Sequence, residues 1–397
     1  MPVQPELIEL APVPGCLPVS MPAGEAAPIA RTHERVMQIY AHLAIDKDAE
    51  RWRRNRESGQ LVGLNDVTPY GYGRAEAMQC HVRFSAAGRE GRLGKLLRLG
   101  LRAVTGFDLL HAWRNRDAIR VADVVWTHTE SQYLAVAAVG LLIGKRVRLI
   151  GQSVWLVDRW RGLWWPHKWL FRRLIARVDV LSFLSPENAA LARQLFPRAR
   201  VEFLPFGIPA EQRQPPRCRV DGPIRVLALG NDRHRDWATL IEAVREVAGI
   251  ELTILSGTVP AGLARGARNV EIRLARSHQE LSAAFEAATL VCVPLRRNLH
   301  ASGITVIQEA VLSGLPVIAT DIGGLSAYFS ANELRYVPVG EAAALREAIV
   351  EVAGDPAAAL ARATRAQARM GEGGELGAQQ YVRHHVRLSA QLLGRDA

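Results

Sequence analysis

The chain has 397 residues, 49% of them apolar, and carries 50 Lys and Arg against 39 Asp and Glu, a net charge of +11. That length suits two domains with a core each, and the composition excludes a chain that is mainly disordered. The cationic excess favours polyanions, an anionic membrane face or phosphorylated substrates, while Cys16, Cys80, Cys218 and Cys292 lack metal-ligand spacing and read as free thiols in a reducing cytoplasm.

Residues 1–33 are rich in proline and lack the basic head and apolar run of a signal peptide, so they read as a poorly ordered arm. A first strand is expected at 36–43, then a charged segment of helical character at 46–61. Residues 68–76 form a glycine-aromatic loop leading into a helix, which is either an ordinary turn or the lip of a cleft. A second strand is expected at 81–84. Residues 91–105 set Leu93, Leu96, Leu97, Leu99 and Leu101 among Arg92, Lys95, Arg98 and Arg102, with helical spacing placing most cations on one side. A second basic stretch, 159–173, adds Trp160, Trp164, Trp165, Trp169 and Phe171. Together the two suit the headgroup zone of an anionic membrane; either alone equally suits core aromatics beside solvated cations. Single-stranded nucleic acid would accept the composition, but no nucleic-acid module signature is present.

Between these stretches runs a parallel-sheet rhythm: strand 122–128, helix 131–144, strand 146–151. The apolar run 133–144 is too short to span a bilayer and reads as a core helix. A strand at 178–185 runs into Ser185 as N-cap and Pro186 at the first helical position. Strand 201–204 and Pro205-Phe206-Gly207 close this half, and the polar, proline-rich 209–222 reads as a linker.

The second half opens with strand 224–229, the loop Gly230-Asn231-Asp232-Arg233-His234-Arg235 and a helix at 239–247. Strand, glycine, basic loop and helix make the βα arrangement that holds phosphate at a helix start, and arginine forks hold phosphate oxygens in two-point fashion. Further strands are expected at 251–256 and 290–295, with a helix at 281–287. Then comes NLHASGITVIQEAVLSGLPVIATDIGG over 298–324. It reads as a Ser302-Gly303 loop, a helix at 304–313 ended by Gly314 and Pro316, and a buried strand at 317–319. The amides of Ser302, Gly303 and Ile304 and the helix dipole would point at one spot, a ready phosphate site, although such turns are common without a ligand. Glu309, a turn and a half further in, would accept hydrogen bonds from sugar hydroxyls. Helices follow at 342–352, 355–370 and 381–393.

Residues 298–324 resemble the donor-binding region of GT-B glycosyltransferases, family 4 in particular, through Glu309, Gly314, Pro316, Val317, Ile318, Gly323 and Gly324. The resemblance covers 223–352 well and the first half loosely. It implies an α/β fold of two Rossmann-like domains facing across a cleft: 34–208 on the acceptor side, 223–378 binding nucleotide sugar, and 379–397 as a helix crossing back. It places Gly230, Arg233 and Arg235 on the donor diphosphate together with the 302–304 amides and Glu309, with no metal and no cofactor.

The chain departs from that family in four places, the first being that Arg233 and Arg235 lie one residue out of its usual Arg and Lys spacing. Phe206 stands where the family often has Asn. The acidic residue expected seven positions before Glu309 gives way to His300-Ala301-Ser302, leaving His300 as the candidate on the donor sugar. The histidine that retaining members carry after strand 146–151 is missing from 152–158. An inverting reaction then needs a base for the acceptor hydroxyl, and Glu130 and Asp158 rank ahead of His128. Their ordinary roles would be a helix cap, an ion pair with Arg159 or Arg161, and a strand-end partner.

The implied reaction is glycosyl transfer from a nucleotide-diphosphate sugar to a hydroxyl. Similarity to xanthan-type mannosyltransferases suggests mannose from GDP-mannose. The acceptor would be a lipid-linked oligosaccharide or polysaccharide in exopolysaccharide assembly, on the cytoplasmic face of the cell membrane and without nucleic acid. Rival readings are a sugar-nucleotide epimerase, a catalytically silent nucleotide-binding module and a polyanion-binding protein.

Overall fold

A computed structural model describes residues 35–88, 90–219, 221–371 and 373–395; the expected arm at 1–33 lies outside them. Two six-stranded parallel sheets, each flanked by helices, form the α/β fold. The first contains β1 (Met37–His42), β2 (Cys80–Phe84), β3 (Val124–Thr127), β4 (Leu149–Ser153), β5 (Val180–Phe183) and β6 (Val201–Phe203), in the order β2-β1-β3-β4-β5-β6. The second contains β7 (Ile224–Leu229), β8 (Ile250–Leu255), β9 (Val270–Arg273), β10 (Leu290–Val293), β11 (Val317–Thr320) and β12 (Arg335–Val337), in the order β12-β11-β10-β7-β8-β9. β3, β4, β5, β10 and β11 are buried at every position, as helices on both faces of a parallel sheet require. The direction of winding reverses between β1 and β3 and between β7 and β10, and loops leaving the carboxyl ends of such strands line a crevice.

Several sequence expectations shift for identifiable reasons. β9 and β12 were not foreseen; both are edge strands carrying charged residues, so neither shows an apolar run. The helices Leu109–Arg114 and Arg116–Val121 were also missed. They are held by Asp108, which caps His111 N, and by Asn115, whose Oδ1 accepts from Tyr40 at 2.8 Å. β4 begins at Leu149 rather than 146, its first paired residues being Leu149 with Val125 and Ile150 with Val180. The aromatic loop is not loop then helix: 3-10 turns span Pro69–Met78, broken where Tyr70 (φ 57) and Gly71 (φ 72) are left-handed. Residues 214–217 pack on the second half, with Gln214 N donating to Leu312 O at 2.7 Å and Arg217 N to Gly314 O at 2.8 Å, while Glu211 pairs with Arg74 of the first.

The final helix, Ala378–Leu392, crosses back to the first sheet. Trp126 Nε1 donates to Ser389 Oγ at 2.8 Å, and the Tyr72 and Tyr381 hydroxyls lie 3.0 Å apart. One apolar core is continuous through both halves, joining Trp126 and Ile150 to Leu227, Ile307 and Tyr381. Phe206 belongs to it, edge-on to Tyr381 and His128.

The two strands of chain between the halves meet at glycine. A Cβ on Gly207 would lie 2.0 Å from the Gly377 carbonyl carbon. Gly207→Ala is therefore expected to lower stability by about 1–3 kcal/mol or more. Gly100→Ala, in a helix with nothing within 4 Å, should raise it by about 0.5–1 kcal/mol. Urea unfolding of both variants measures this, and equal midpoints for the two would refute the close packing.

Candidate functional site

The loops after β7 and β10 lie side by side at the switch point of the second sheet. Gly230, at φ 122, turns the chain out of β7. Asn231 Oδ1 accepts from Ser256 Oγ at 3.2 Å and Gly257 N at 2.9 Å, pinning the loop to the end of β8. Asp236 caps the Trp237–Val244 helix through Thr239. Asp236 N donates to Pro294 O at 3.0 Å and Arg296 N to His234 O at 2.7 Å, so the two loops are joined backbone to backbone.

This arrangement buries Arg235, which is 4% exposed, while Arg233 stays in solvent. The Arg235 guanidinium occupies the room left by two glycines. A Cβ on Gly230 would come within 2.5 Å of Nη2, and one on Gly303 within 2.6 Å of Nη1. Its Nε and Nη1 have no partner, and burial pulls its pKa down to about 10. A buried cation with open donors is costly until an anion arrives.

Beside it, the 298–303 loop is drawn into a tight turn. Ala301 (φ 52) and Gly303 (φ 86) are left-handed, Asn298 Oδ1 accepts from Ser302 N at 3.3 Å, and Ile304 N donates to Ala301 O at 3.2 Å. Two of the three amides expected to face a ligand thus close the turn itself. The Ser302 hydroxyl is buried without a partner. Gly230, Arg235, Ser302, Gly303 and Ile304 are brought together at the start of the Ile304–Leu312 helix.

His300, from the same loop, reaches the other half of the molecule. Its Nδ1 is hydrogen-bonded to Asp158 Oδ2, and Asp158 Oδ1 accepts from Leu299 N at 3.1 Å. Its Nε2 is 3.5 Å from Asp232 Oδ2. Burial alone would lower the His300 pKa, but Asp158 and Asp232 outweigh it and raise the value. Asp158, ranked as a base, thus holds the 298–303 loop through Leu299 and His300.

The other two candidate bases are placed differently. Glu130 opens the Glu130–Leu142 helix, and its Oε2 accepts from Val154 N at 3.1 Å and Trp155 N at 3.3 Å. Burial raises its pKa, and those amides hold the rise back. It lines a cavity of about 560 Å³ with Arg102, Trp155, Trp164 and His167. His128 is enclosed by aromatics: Tyr70 stacks on it at 3.4 Å between centroids, and Tyr72 OH lies 3.2 Å from Nδ1. Gln152 Nε2 lies 3.3 Å from the same nitrogen, and burial holds the ring neutral.

Sequence reading passed over Asp232 and His234, and the Tyr70, Tyr72, Tyr381 and Gln152 group. The first pair had a visible signal, Asp-x-His within the basic loop. The second was half signalled by the glycine-aromatic loop at 68–76, but its partners Gln152 and Tyr381 come from distant segments and had no signal.

Glu309 lies apart from Arg235's glycine pocket. Its carboxylate accepts from Leu64 N at 2.9 Å, and Gly63 leaves room for it, since a Cβ there would be 2.5 Å from Oε1. The residue keeps an edge on a small pocket beside Leu281 and Phe285, yet enclosure of the carboxyl raises its pKa to about 7, partly offset by the Leu64 amide. A folded-state pKa above the unfolded value means that the fold retains this proton while the unfolded chain loses it. The stabilisation is complete below the unfolded pKa and is lost as pH rises to about 7. Glu309→Gln, which keeps an acceptor for Leu64, should therefore flatten the loss of stability from about pH 5 to about pH 8. Parallel stability curves for variant and parent would show that the carboxyl is not enclosed.

Residues 223–355 match the family model described as Glycosyl transferases group 1. No curated protein matches the sequence. Among solved structures, sucrose-phosphate synthase from Thermosynechococcus elongatus aligns at TM-score 0.68 with 18% identity, over 90% of this chain and 99% of that one. A glycosyltransferase from Rickettsia africae aligns at 0.64 with 12% identity, over 91% and 99%. Anabaena HepE, in complex with UDP-glucose, aligns at 0.61 with 14% identity, over 90% and 99%. Residues 223–355 thus match a glycosyl transferases group 1 domain, and the chain as a whole has the GT-B fold.

Proposed function

We propose that the protein is a glycosyltransferase that moves a sugar from a nucleotide-diphosphate donor to a hydroxyl acceptor. The observation that carries this is Arg235: a buried guanidinium with free donors, beside the start of a helix, in the crevice between β7 and β10. As the glycosyl bond breaks, negative charge grows on the diphosphate, and a fixed cation stabilises it without reorganisation. In this reading Arg235 and the helix start supply that charge, and the transfer step needs no metal.

Donor identity has two contenders. Resemblance to xanthan-type enzymes favours mannose from GDP-mannose, while HepE, of the same fold, holds UDP-glucose and UDP. For the acceptor proton we favour Glu130, a carboxylate of raised pKa on the cavity next to Trp155, whose ring in turn lies 6.5 Å from that of His300.

A panel of nucleotide sugars read by thermal shift tests the donor site. One donor should stabilise the wild type, and Arg235→Met should abolish that shift while stabilising the ligand-free protein, because it removes an unpaired buried charge. In a turnover assay Glu130→Gln should keep the shift and lose activity. A donor shift that survives Arg235→Met would overturn the site. Release of free sugar without an acceptor would favour the epimerase.

The surface supports a membrane-linked acceptor. The Arg92–Thr105 helix buries one residue, Arg98, ion-paired with Glu90 and Asp108, and leaves Leu93, Leu96, Leu97 and Leu99 in solvent beside Arg92, Lys95 and Arg102. The expected grouping of cations on one side is broken by that inward arginine. Leu93 is 83% exposed, Val104 74%, and Trp165 on the neighbouring Trp165–Ile175 helix 71%. His167 Nε2, 2.9 Å from Val104 O, joins the two helices. No helix among the described residues is long and apolar enough to cross a membrane. We place this face on an anionic bilayer that presents a lipid-linked oligosaccharide for exopolysaccharide assembly. Sedimentation with vesicles should show binding to anionic but not neutral lipid, release at high salt, and loss in Leu93→Ser/Trp165→Ser. Equal recovery with both lipids would count against this docking.

A further inference from the structure

The loops after β7 and β10 build a second constellation besides Arg235. Asp232, His234 and His300 each offer one ligand atom, and these atoms lie within 4.8 Å of one another. The His300 side chain is 3% exposed; its Nδ1 is engaged by Asp158, and its Nε2 makes no well-aligned hydrogen bond but faces Asp232 Oδ2 at 3.5 Å. An imidazole oriented by a carboxylate at one nitrogen, with the other nitrogen open, is how metal-binding histidines are held. Asp232 is arranged in the complementary way. Its Oδ1 takes the His234 amide at 2.7 Å and lies 3.0 Å from His234 Nδ1, while its Oδ2 faces His300. The His234 and His300 rings meet edge to face, 4.8 Å between centroids.

We propose that Asp232, His234 and His300 bind one divalent transition-metal ion of the zinc class, with Asp158 as a positioning residue acting through His300. Two imidazoles and one carboxylate suit zinc, whereas calcium and magnesium take oxygen ligands. Bonds of about 2.0–2.1 Å put tetrahedral donors roughly 3.3 Å apart. From the present spread of up to 4.8 Å, rotation of the Asp232 and His234 side chains, both only partly buried, would bring the donors to that spacing. Three protein ligands leave a fourth position for water. The ion would join the β7 and β10 loops and, through Asp158 on the Leu156–Arg159 turn, tie them to the first half of the chain. None of this rests on a sugar donor.

The test uses the full chain, stripped with a chelator and without nucleotide, titrated with zinc against a chromophoric competitor. One zinc per chain is expected. His234→Ala and His300→Ala should weaken binding by at least ~100-fold, and Asp158→Asn by ~10–100-fold. Cobalt in place of zinc should give the visible spectrum of a four-coordinate site without a thiolate charge-transfer band, which separates it from the cysteines. If His300→Ala fails to fold, His234→Ala decides, because His234 is only partly buried in its loop. Zinc affinity unchanged in a folded His234→Ala, or no binding at micromolar free zinc, overturns the proposal.

Discussion

Two parallel sheets can share one crevice only if the chain passes between them, and here it passes twice at the same place. The outward pass at Gly207 and the return at Gly377 touch main chain to main chain, and Ala378 N donates to Ile208 O at 2.9 Å. A side chain at Gly207 would force the passes apart. With them would go the seat of the Ala378–Leu392 helix, which sets Tyr381 against Tyr72 and Ser389 under Trp126. Tyr328 reinforces the crossing from the second half, donating to Leu184 O at 2.7 Å while its oxygen accepts Phe206 N at 3.0 Å. The apolar core is continuous through this junction. The relation of the two sheets is therefore held by dense packing and not by a loose tether.

That rigidity makes a buried charge sustainable. Arg235 sits with open donors in a pocket cut by two glycines, a state that costs free energy in the absence of an anion. The joined β7 and β10 loops and the capped Trp237–Val244 helix hold it there. The same junction engages His300 with Asp158 across the halves. Polar groups that would be poor core material are collected at one crevice and left partly unsatisfied, as groups meant to meet a ligand are.

The Arg92–Thr105 helix shows the opposite economy. It is anchored by the Arg98 ion pairs and gives its leucines to solvent. Unlike the apolar Glu130–Leu142 helix, whose residues are mostly buried, it adds little to the core. An exposed apolar face of this kind marks an interaction surface.

The sequence alone determined the buried strands, the position of the basic glycine loop after β7 and the helix after the Ser302-Gly303 turn. These rest on local signals: apolar runs, glycine and proline punctuation, and N-caps such as Ser185. Ile224–Leu229 was placed to the residue, and most other interior strands to within three residues at either end. Edge strands β9 and β12 escaped because half-exposed strands need no apolar run. Side-chain roles were legible only as types. Arg235 and Arg233 look alike in sequence, and burial by the loop after β10 distinguishes them. Asp158 and His300 stand 142 positions apart, Glu309 and Leu64 245. Which way Arg98 points depends on Glu90 and Asp108 being underneath. Such partners are chosen by packing between distant segments, and only the tertiary structure brings those segments together.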